Sequence, residues 1–200
     1  MPEDELETPE FKERLEEATE RALEKSESRA RWIVYLSFST ALIAVLAAIA
    51  ALESGTYSNQ ALIEKNEALL AQAKASDQWA YYQAKSVKGA IYASQAATLQ
   101  SSNPEVAAKA VKEAERYSKE EEEISKTAKE LEKQVAEKTE LSSESMEHHH
   151  RFAYSVTMFQ ISIALAAVAA LSKQKGVWFL GLVIGVAGLV YFIDGFRLFF

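Results

Sequence analysis

Cysteine is absent from the 200-residue sequence, which also contains only 3 prolines and 7 glycines. Without cysteine the chain forms no disulfide, holds no cysteine-ligated zinc and supplies no thiol nucleophile. Proline and glycine are the residues that most often interrupt helices and form turns. Because they are scarce, and because no segment alternates apolar and polar residues as a strand does, the sequence predicts an all-α protein with long helices.

Sequence motifs for catalysis are also missing. The chain has no glycine-rich phosphate-binding loop, no G-x-S-x-G nucleophile motif and no H-E-x-x-H zinc motif. Its formal net charge is −7, whereas binding to a phosphate backbone requires clustered lysine and arginine. We therefore expect a protein that is not an enzyme, uses no cofactor and binds no nucleic acid.

Three long runs lack Asp, Glu, Lys, Arg and His: Trp32 to Leu52, Phe152 to Leu171 and Val177 to Ile193. A helix needs about 20 apolar residues to cross a bilayer. The sequence therefore predicts a membrane protein with three transmembrane helices, at 31–53, 152–172 and 177–194. A tight basic turn at 173–176 joins the last two, and 195–200 forms a short C-terminal tail.

A long polar segment, 54–151, separates the first two predicted spans. It is rich in Ala, Glu, Lys and Gln, which favour helices, and its one strong breaker is SSNPE at 101–105. Pro104 suits the first turn of a helix, and Asn103 or Ser102 suits its N-cap. Arms of equal length flank this break. We therefore expect a long antiparallel, coiled-coil-like helical hairpin outside the membrane, with its turn near 101–104.

Apolar residues at heptad spacing mark the expected contact between the arms. In the returning arm they are Ala110, Ala114, Tyr117, Ile124, Ala128, Leu131 and Val135. In the outgoing arm a matching stripe consists of Leu62, Leu69, Ala73, Ala80, Ala84, Val87 and Ile91. If the arms are antiparallel about this turn, Tyr117 faces Gly89.

Basic residues near the spans predict the orientation in the membrane. Those on one side are Lys25, Arg29, Arg31, Lys173 and Lys175. They place the N-terminus in the cytoplasm and the hairpin, 54–151, outside it, although Arg151 and Arg197 disagree with this assignment.

The N-terminal segment, 1–30, is predicted to form an acidic amphipathic helix with Phe11, Leu15, Ala18 and Ala22 on one face. Residues 1–31 contain 11 acidic and 6 basic side chains. Such a helix is unsuited to anionic lipid, so we expect it to bind a protein partner or another copy of the chain.

Several residues are candidates for contact with another subunit or with a different partner protein. Trp79, Tyr81 and Tyr82 point in such different directions on a helix that a two-helix contact cannot bury all three. Gln160 places an amide within a predicted span, where it needs a hydrogen-bonding partner. The glycines of the third span allow close helix contacts; they are Gly181, Gly185 and Gly188. We expect a self-associating or accessory scaffold subunit; the alternative is an oligomeric channel or transport component lined by small residues and Gln160.

The stretch EHHHRFAYS, at 147–155, precedes the second span and admits three interpretations. His148, His149 and His150 point about 100° apart on a helix, so one metal cannot bind all three, although Glu144 and His148 are i,i+4 neighbours. A pH-responsive cluster is a second interpretation. The third, which we favour, is a membrane border of amphipathic side chains. Its members are His148, His149, His150, Arg151, Phe152, Tyr154 and, at the other end of the spans, Trp178.

The stretch LLAQAKASDQWAYYQAKSVKGAIY and the later run from HHHRFAYS through the third span resemble the bacterial membrane proteins of domain-of-unknown-function family 4337 (DUF4337). The motifs that carry the resemblance are Asp77-Gln78-Trp79, the His-Arg-Phe sequence at 150–152, and Trp178. The resemblance extends from Arg31 to the C-terminus. It implies a protein of the bacterial inner membrane, and it implies no activity, because the family has no assigned function or catalytic residues.

Overall fold

The structure, a computed structural model, describes residues 9–198, and the side chains of these residues except Pro9, Glu10, Phe11, Lys25 and Arg29. It contains three helices: α1 (Pro9–Leu99), α2 (Pro104–Ser172) and α3 (Lys175–Arg197). No strand occurs within residues 9–198, so the predicted all-α class is confirmed. Residues 1–8 of the predicted N-terminal helix, residues 199–200 of the predicted tail and the side chain of Phe11 lie outside the described part.

The helix ends fall at residues suited to them. Residues 100–103 separate α1 from α2. The backbone N–H of Asn103 donates to the carbonyl of Leu99 (2.8 Å), and its carbonyl accepts from the N–H of Ala107 (3.0 Å). Lys173 adopts a left-handed conformation (φ 57°) between α2 and α3. The last helix continues to Arg197, three residues beyond the predicted boundary at 194. Its C-cap is Leu198 (φ 47°), whose N–H donates to the carbonyl of Asp194 (2.7 Å).

The chain divides into two compact units. One, which we call the three-helix unit, comprises Met1–Ser54 and His150–Phe200; the other, which we call the hairpin unit, comprises Gly55–His149. Each of the three helices contains a stretch that is long and apolar enough to cross a membrane. Of the predicted amphipathic face near the N-terminus, Leu15, Ala18 and Ala22 are exposed.

The core of the three-helix unit is small because its helices lie close together. Trp32, Leu36 and Ala169 form a buried cluster at one end, with Val177 and Trp178 packed against it. Phe159 and Phe152 are fully buried farther along α2. Most large apolar side chains of the unit instead point outward; among them are Val34, Phe38, Val45, Val183 and Val186.

The hairpin unit is an antiparallel pair whose contact surface, here called the seam, is rich in alanine. Its buried members include Ala61, Ala68, Ala71 and Ala75 of α1, and Ala107, Ala110, Tyr117, Ile124 and Ala128 of α2. Successive members are 3, 4 or 7 residues apart, as in a heptad repeat. A Cβ atom at Gly89 would lie 3.4 Å from Cβ of Tyr117, so the predicted pairing of these residues is confirmed.

The stripe predicted for the outgoing arm does not form the seam, and this part of the prediction is wrong. Its large members are more than half exposed: Leu62 56%, Leu69 59%, Val87 60% and Ile91 60%. A second series, which begins at Ala61, has the same heptad spacing but is rotated by about 100° around the helix. It forms the seam because alanine lets the helix backbones approach closely, whereas leucine would hold them apart.

Candidate functional site

Two of the three aromatic residues singled out in the outgoing arm contact the seam. Trp79 donates its indole N–H to Oε1 of Glu132 (2.8 Å), and its ring meets the ring of Tyr82 edge to face, with centroids 5.5 Å apart. Tyr81 remains half exposed. Tyr81 is therefore the most accessible of the three for a contact outside the hairpin unit. This agrees with the expectation that a two-helix contact cannot bury all three rings.

Lys85 lies at the centre of a polar cluster that the sequence analysis missed. Its Nζ is 2.6 Å from Oε2 of Glu120 and lies over the rings of Tyr81 and Tyr117, 5.0 and 5.3 Å from their centroids. The hydrogen bond with Glu120 is the largest cause that raises the pKa of Lys85, and the same bond lowers the pKa of Glu120. The antiparallel register that places Gly89 opposite Tyr117 also places Lys85 near Glu120, so this ion pair could have been predicted from the sequence.

A second polar cluster lies in the seam near the open end of the hairpin. Glu64 is buried and accepts hydrogen bonds from Ser145 Oγ (2.9 Å) and Gln60 Nε2 (2.7 Å). Ser142 Oγ donates to the backbone carbonyl of Ala61 (2.8 Å). These contacts satisfy the carboxylate within the seam and fix the register of the arms there.

The three histidines occupy different surroundings in the structure. The ring of His148 stacks on Tyr57, with centroids 4.5 Å apart and an interplanar angle of 16°. Among residues 9–198, no group of three His, Asp or Glu side chains has the geometry to hold a metal ion. Glu144 is exposed, His149 is partly buried and His150 is exposed. His148, one of the candidate metal ligands, therefore has an aromatic partner in the structure, Tyr57.

Arg151 forms an ion pair within the three-helix unit. Its Nε lies 3.2 Å from Oδ2 of Asp194, whose side chain is 1% exposed. The two residues are 43 positions apart in the sequence, whereas Arg197 is the i,i+3 neighbour of Asp194. The nearby guanidinium offsets part of the cost of burying a carboxylate among apolar helices.

The other predicted membrane-border residues occupy different environments. Phe152 is fully buried, packs edge to face on Phe196 (centroids 4.9 Å apart) and covers Gly195, where a Cβ would lie 2.9 Å from the ring. Tyr154 is exposed and lies 5.7 Å from the ring of Tyr191. Trp178, at the opposite end of the unit, donates its indole N–H to Ser39 Oγ (3.2 Å).

Gly181, Gly185 and Gly188, the candidates for contact with another subunit, are buried within the chain itself. A Cβ at Gly185 would lie 3.1 Å from Ser162 Oγ, and one at Gly188 would lie 2.9 Å from the ring of Phe159. Ser162 Oγ also donates to the carbonyl of Gly181 (2.7 Å). The small residues therefore bring α3 close to α2, and this face is occupied without a second subunit.

Gln160 lies on the outer surface of the three-helix unit, where it is exposed. It shares this surface with apolar neighbours such as Ile161 and Val168. Of the residues proposed for contact with another subunit, Gln160 and Tyr81 are therefore the two that remain most accessible.

A shallow groove of about 430 Å³ opens at the closed end of the hairpin. Small and apolar side chains line it, with Gln100 as the polar one; they come from both sides of the break, from Ala96 to Val111. The lining contains no titratable side chain, so the groove offers no acid, base or nucleophile.

Comparison with known proteins identifies a family. A family model described as "Domain of unknown function (DUF4337)" matches residues 32–198. No curated protein and no solved structure matches the chain. The matched range contains the three-helix unit from Trp32 onward and the complete hairpin unit, and the chain therefore belongs to the DUF4337 family.

Proposed function

We propose that the chain is a non-enzymatic integral membrane protein that self-associates, or acts as an accessory or scaffold subunit of a larger membrane assembly, and presents its helical hairpin outside the bilayer. Its partners are the lipid bilayer and further membrane-protein subunits, including copies of itself. It uses no cofactor and binds no nucleic acid.

The observation that carries this proposal is the surface of the three-helix unit. Large apolar side chains point outward from all three helices; examples are Val34, Phe38, Val45, Val168 and Val183. Soluble monomers rarely expose contiguous apolar patches larger than a few hundred Å². Helices that are apolar on every side are typical of membrane spans, and lipid is the environment that suits such a surface.

Gln160 supports self-association. An exposed amide within the hydrocarbon region loses its hydrogen bonds to water, and a polar side chain on a neighbouring helix restores them. A second copy of the chain offers the same amide at the same depth, so two Gln160 side chains are natural partners.

The location we propose is a bacterial inner membrane, with the N-terminus in the cytoplasm and 54–151 on the outer side. Lys173 and Lys175, between α2 and α3, support this orientation by the positive-inside rule. Labelling of single cysteines in intact cells with a membrane-impermeant maleimide tests it, because the native chain has no cysteine. Lys126→Cys should react and Lys173→Cys should not; the reverse result would invert the orientation.

The experiment that tests self-association is a mass measurement on the full chain in detergent and in lipid nanodiscs. The expected result is a homo-oligomer, and a monomer in both media without a copurifying subunit would overturn the proposal. Gln160→Leu should shift the mass toward the monomer. Thr157→Val is the matched control, since Thr157 already donates to the carbonyl of Ala153 (3.0 Å) in its own helix.

An oligomeric channel or transport component is the competing proposal, and the exposed amide of Gln160 favours it too. Gly181, Gly185 and Gly188 no longer support it, because α2 covers them. Ion flux through liposomes that contain the purified protein separates the two proposals. A scaffold gives no flux above empty liposomes, whereas a conductance that Gln160→Leu abolishes would establish the channel.

A further inference from the structure

The outgoing arm of the hairpin has an apolar outer face. With Ala61 and Ala68 at heptad position a, this face comprises positions b, c and f from 62 to 91. Its large members are Leu62, Ile63, Leu69, Leu70, Val87 and Ile91, and each is more than half exposed. All 14 positions are exposed, and Asp77 is the one charged residue among them.

The same positions on the returning arm are different. From 115 to 144, with Ala114 at position a, positions b, c and f again comprise 14 exposed residues. Of these, 12 are Asp, Glu, Lys or Arg, and the exceptions are Ala136 and Ser143. The returning arm is therefore suited to water, whereas the outgoing arm exposes a face like those that helices bury against other helices.

Charge and side-chain size indicate what covers this face. A symmetric contact pairs a surface with itself, so any charge on that surface meets its own sign. The outer face of the outgoing arm, with one carboxylate, largely avoids this repulsion. Alanines 73, 80, 84 and 90 lie along it, and small residues let two helices approach closely, as they do in the seam.

Lipid fits this face less well. Helices that bind the membrane surface use large apolar side chains and an excess of basic residues. The middle of this face consists of Ala73, Ser76, Asp77, Ala80, Gln83 and Ala84 and has no large apolar side chain. The hairpin, 55–149, contains 16 acidic and 12 basic residues. Anionic lipid would repel the unit as a whole.

The size of the face also suits a dimer of modest affinity. Thirty helical residues extend about 45 Å, and a helix about 11 Å wide gives a footprint of about 500 Å² for each copy. Two copies bury about 1,000 Å², near the lower limit of specific interfaces. Confinement of both copies in one membrane raises their effective concentration.

We propose that the outer face of the outgoing arm is the docking surface for a second copy of this chain, which binds through the same face. This inference rests on the self-association proposed above and names the surface that produces it. The hairpin then associates through the arm that carries little charge and leaves the charged arm in water.

Disulfide crosslinking of the full chain in native membranes tests the contact, since the native chain has no cysteine to interfere. Leu69→Cys should form a covalent dimer on oxidation if the two faces pair in the same chain direction. If they pair in opposite directions, Leu69→Cys should crosslink with Ala84→Cys in a mixture of the two variants. Glu130→Cys, on the outer face of the returning arm, is the control and should stay monomeric. Crosslinking at Glu130 but not at Leu69 or Ala84 would overturn the inference.

A charge substitution gives an independent test. The double variant Leu69→Glu, Val87→Glu should weaken self-association at least tenfold in nanodiscs, while Glu130→Lys should leave it unchanged. Circular dichroism should show the same helix content in all three proteins, because the substituted side chains are exposed.

The outcomes separate this inference from the proposed function. If the wild type is monomeric and copurifies with no other subunit, both fail. If the wild type is a homo-oligomer and the double variant has the same mass, only the docking surface is wrong. Stoichiometric copurification of a different protein, lost in the double variant, would replace the second copy with that partner. Quenching by brominated lipid of a fluorophore attached at Leu69→Cys would assign the face to the bilayer instead.

Discussion

The two arms of the hairpin share one seam, yet they present opposite chemistry on their outer faces. The outgoing arm, 55–99, contains 7 charged residues, and the returning arm, 104–149, contains 21. Both arms have the same heptad periodicity and both place small residues such as Ala75 and Ala128 in the seam. Most of the charge difference lies on the outer faces, where 12 of 14 positions are charged on the returning arm and 1 of 14 on the outgoing arm.

In the outgoing arm, the buried stripe is the less apolar of two. In an isolated two-helix pair, the more apolar stripe is expected to be the buried one. Here Leu62 and Leu69 are exposed while Ala61 and Ala68 are buried. Close backbone approach along the alanine stripe gives the seam its packing, and the leucine stripe is left for a contact beyond the hairpin.

The largest expected effect is the difference in stability between two Ile→Ala variants, one in the seam and one on the outer face. Ile124→Ala removes a side chain that is 8% exposed, and it should destabilise the hairpin by about 2–4 kcal/mol. Ile91→Ala, at 60% exposure, should change the unfolding free energy of the dilute protein by less than about 0.5 kcal/mol. Urea unfolding followed by circular dichroism measures both. Equal losses would contradict the assignment of seam and outer face.

A second pair of variants enlarges a side chain, once in the seam and once on the exposed face. Gly89→Leu places side-chain atoms where a Cβ would already be 3.3 Å from Oε1 of Glu121 and 3.4 Å from Cβ of Tyr117. The arms must separate locally, which should cost about 1–3 kcal/mol. Ala90→Leu, the exposed neighbour, should leave thermal unfolding unchanged. If both variants unfold at the wild-type temperature, the arms are less closely packed than described.

A smaller effect comes from the buried carboxylate of the seam. Ser145→Ala removes one of the two hydrogen bonds donated to Glu64 and should destabilise the hairpin by about 1–2 kcal/mol. The control is Ser143→Ala, because Ser143 is exposed on the outer face of the same arm. Thermal unfolding of the pair measures the difference. If Ser143→Ala lowers the stability as much as Ser145→Ala does, the hydrogen bonds of Glu64 do not stabilise the seam.

The smallest expected effect is the pH dependence of the Lys85–Glu120 pair, which is accessible to solvent and screened by salt. The pKa of Glu120 is lowered from 4.5, so its contribution is present above that value and disappears as pH falls through the folded-state pKa. The pKa of Lys85 is raised from 10.5, so its contribution is present below that value and disappears as pH rises through the folded-state pKa.

The measurement is the difference in melting temperature between the wild type and Glu120→Gln as a function of pH. It should be constant between about pH 5 and 10 and should shrink below the folded-state pKa of Glu120. Glu122→Gln, on the exposed face, is the matched control and should show no such window. A difference that persists at pH 2 would mean that the carboxylate charge is not its source.

The sequence was sufficient to predict the helices, because scarce proline and glycine leave few places to end one, and SSNPE marks the break at 100–103. It was also sufficient for the pairing of Gly89 with Tyr117, since equal arms and an antiparallel turn determine which residues face each other. It was insufficient to select between the stripes that begin at Ala61 and Leu62. Both have heptad spacing, and only the packing distance of the partner helix distinguishes them.

Contacts between the helices of the three-helix unit were the other part that could not be predicted. Asp194 has a nearer basic residue in sequence, Arg197, so its ion pair with Arg151 depends on how α2 and α3 pack. Whether Gly185 contacts its own chain or another one likewise depends on which side of α3 faces Ser162. Composition identifies small and charged residues in a span, but the rotation of each helix determines whether they contact the same chain or another one.

The connection between α2 and α3 limits how these helices can be placed in an assembly. Only Lys173 and Gln174 separate Ser172 from Lys175, and Lys173 already has a left-handed backbone (φ 57°). A link this short extends at most about 11 Å, so the adjoining ends of the two helices stay side by side. In a chain inserted as proposed, the last two spans therefore remain neighbours whatever the number of subunits.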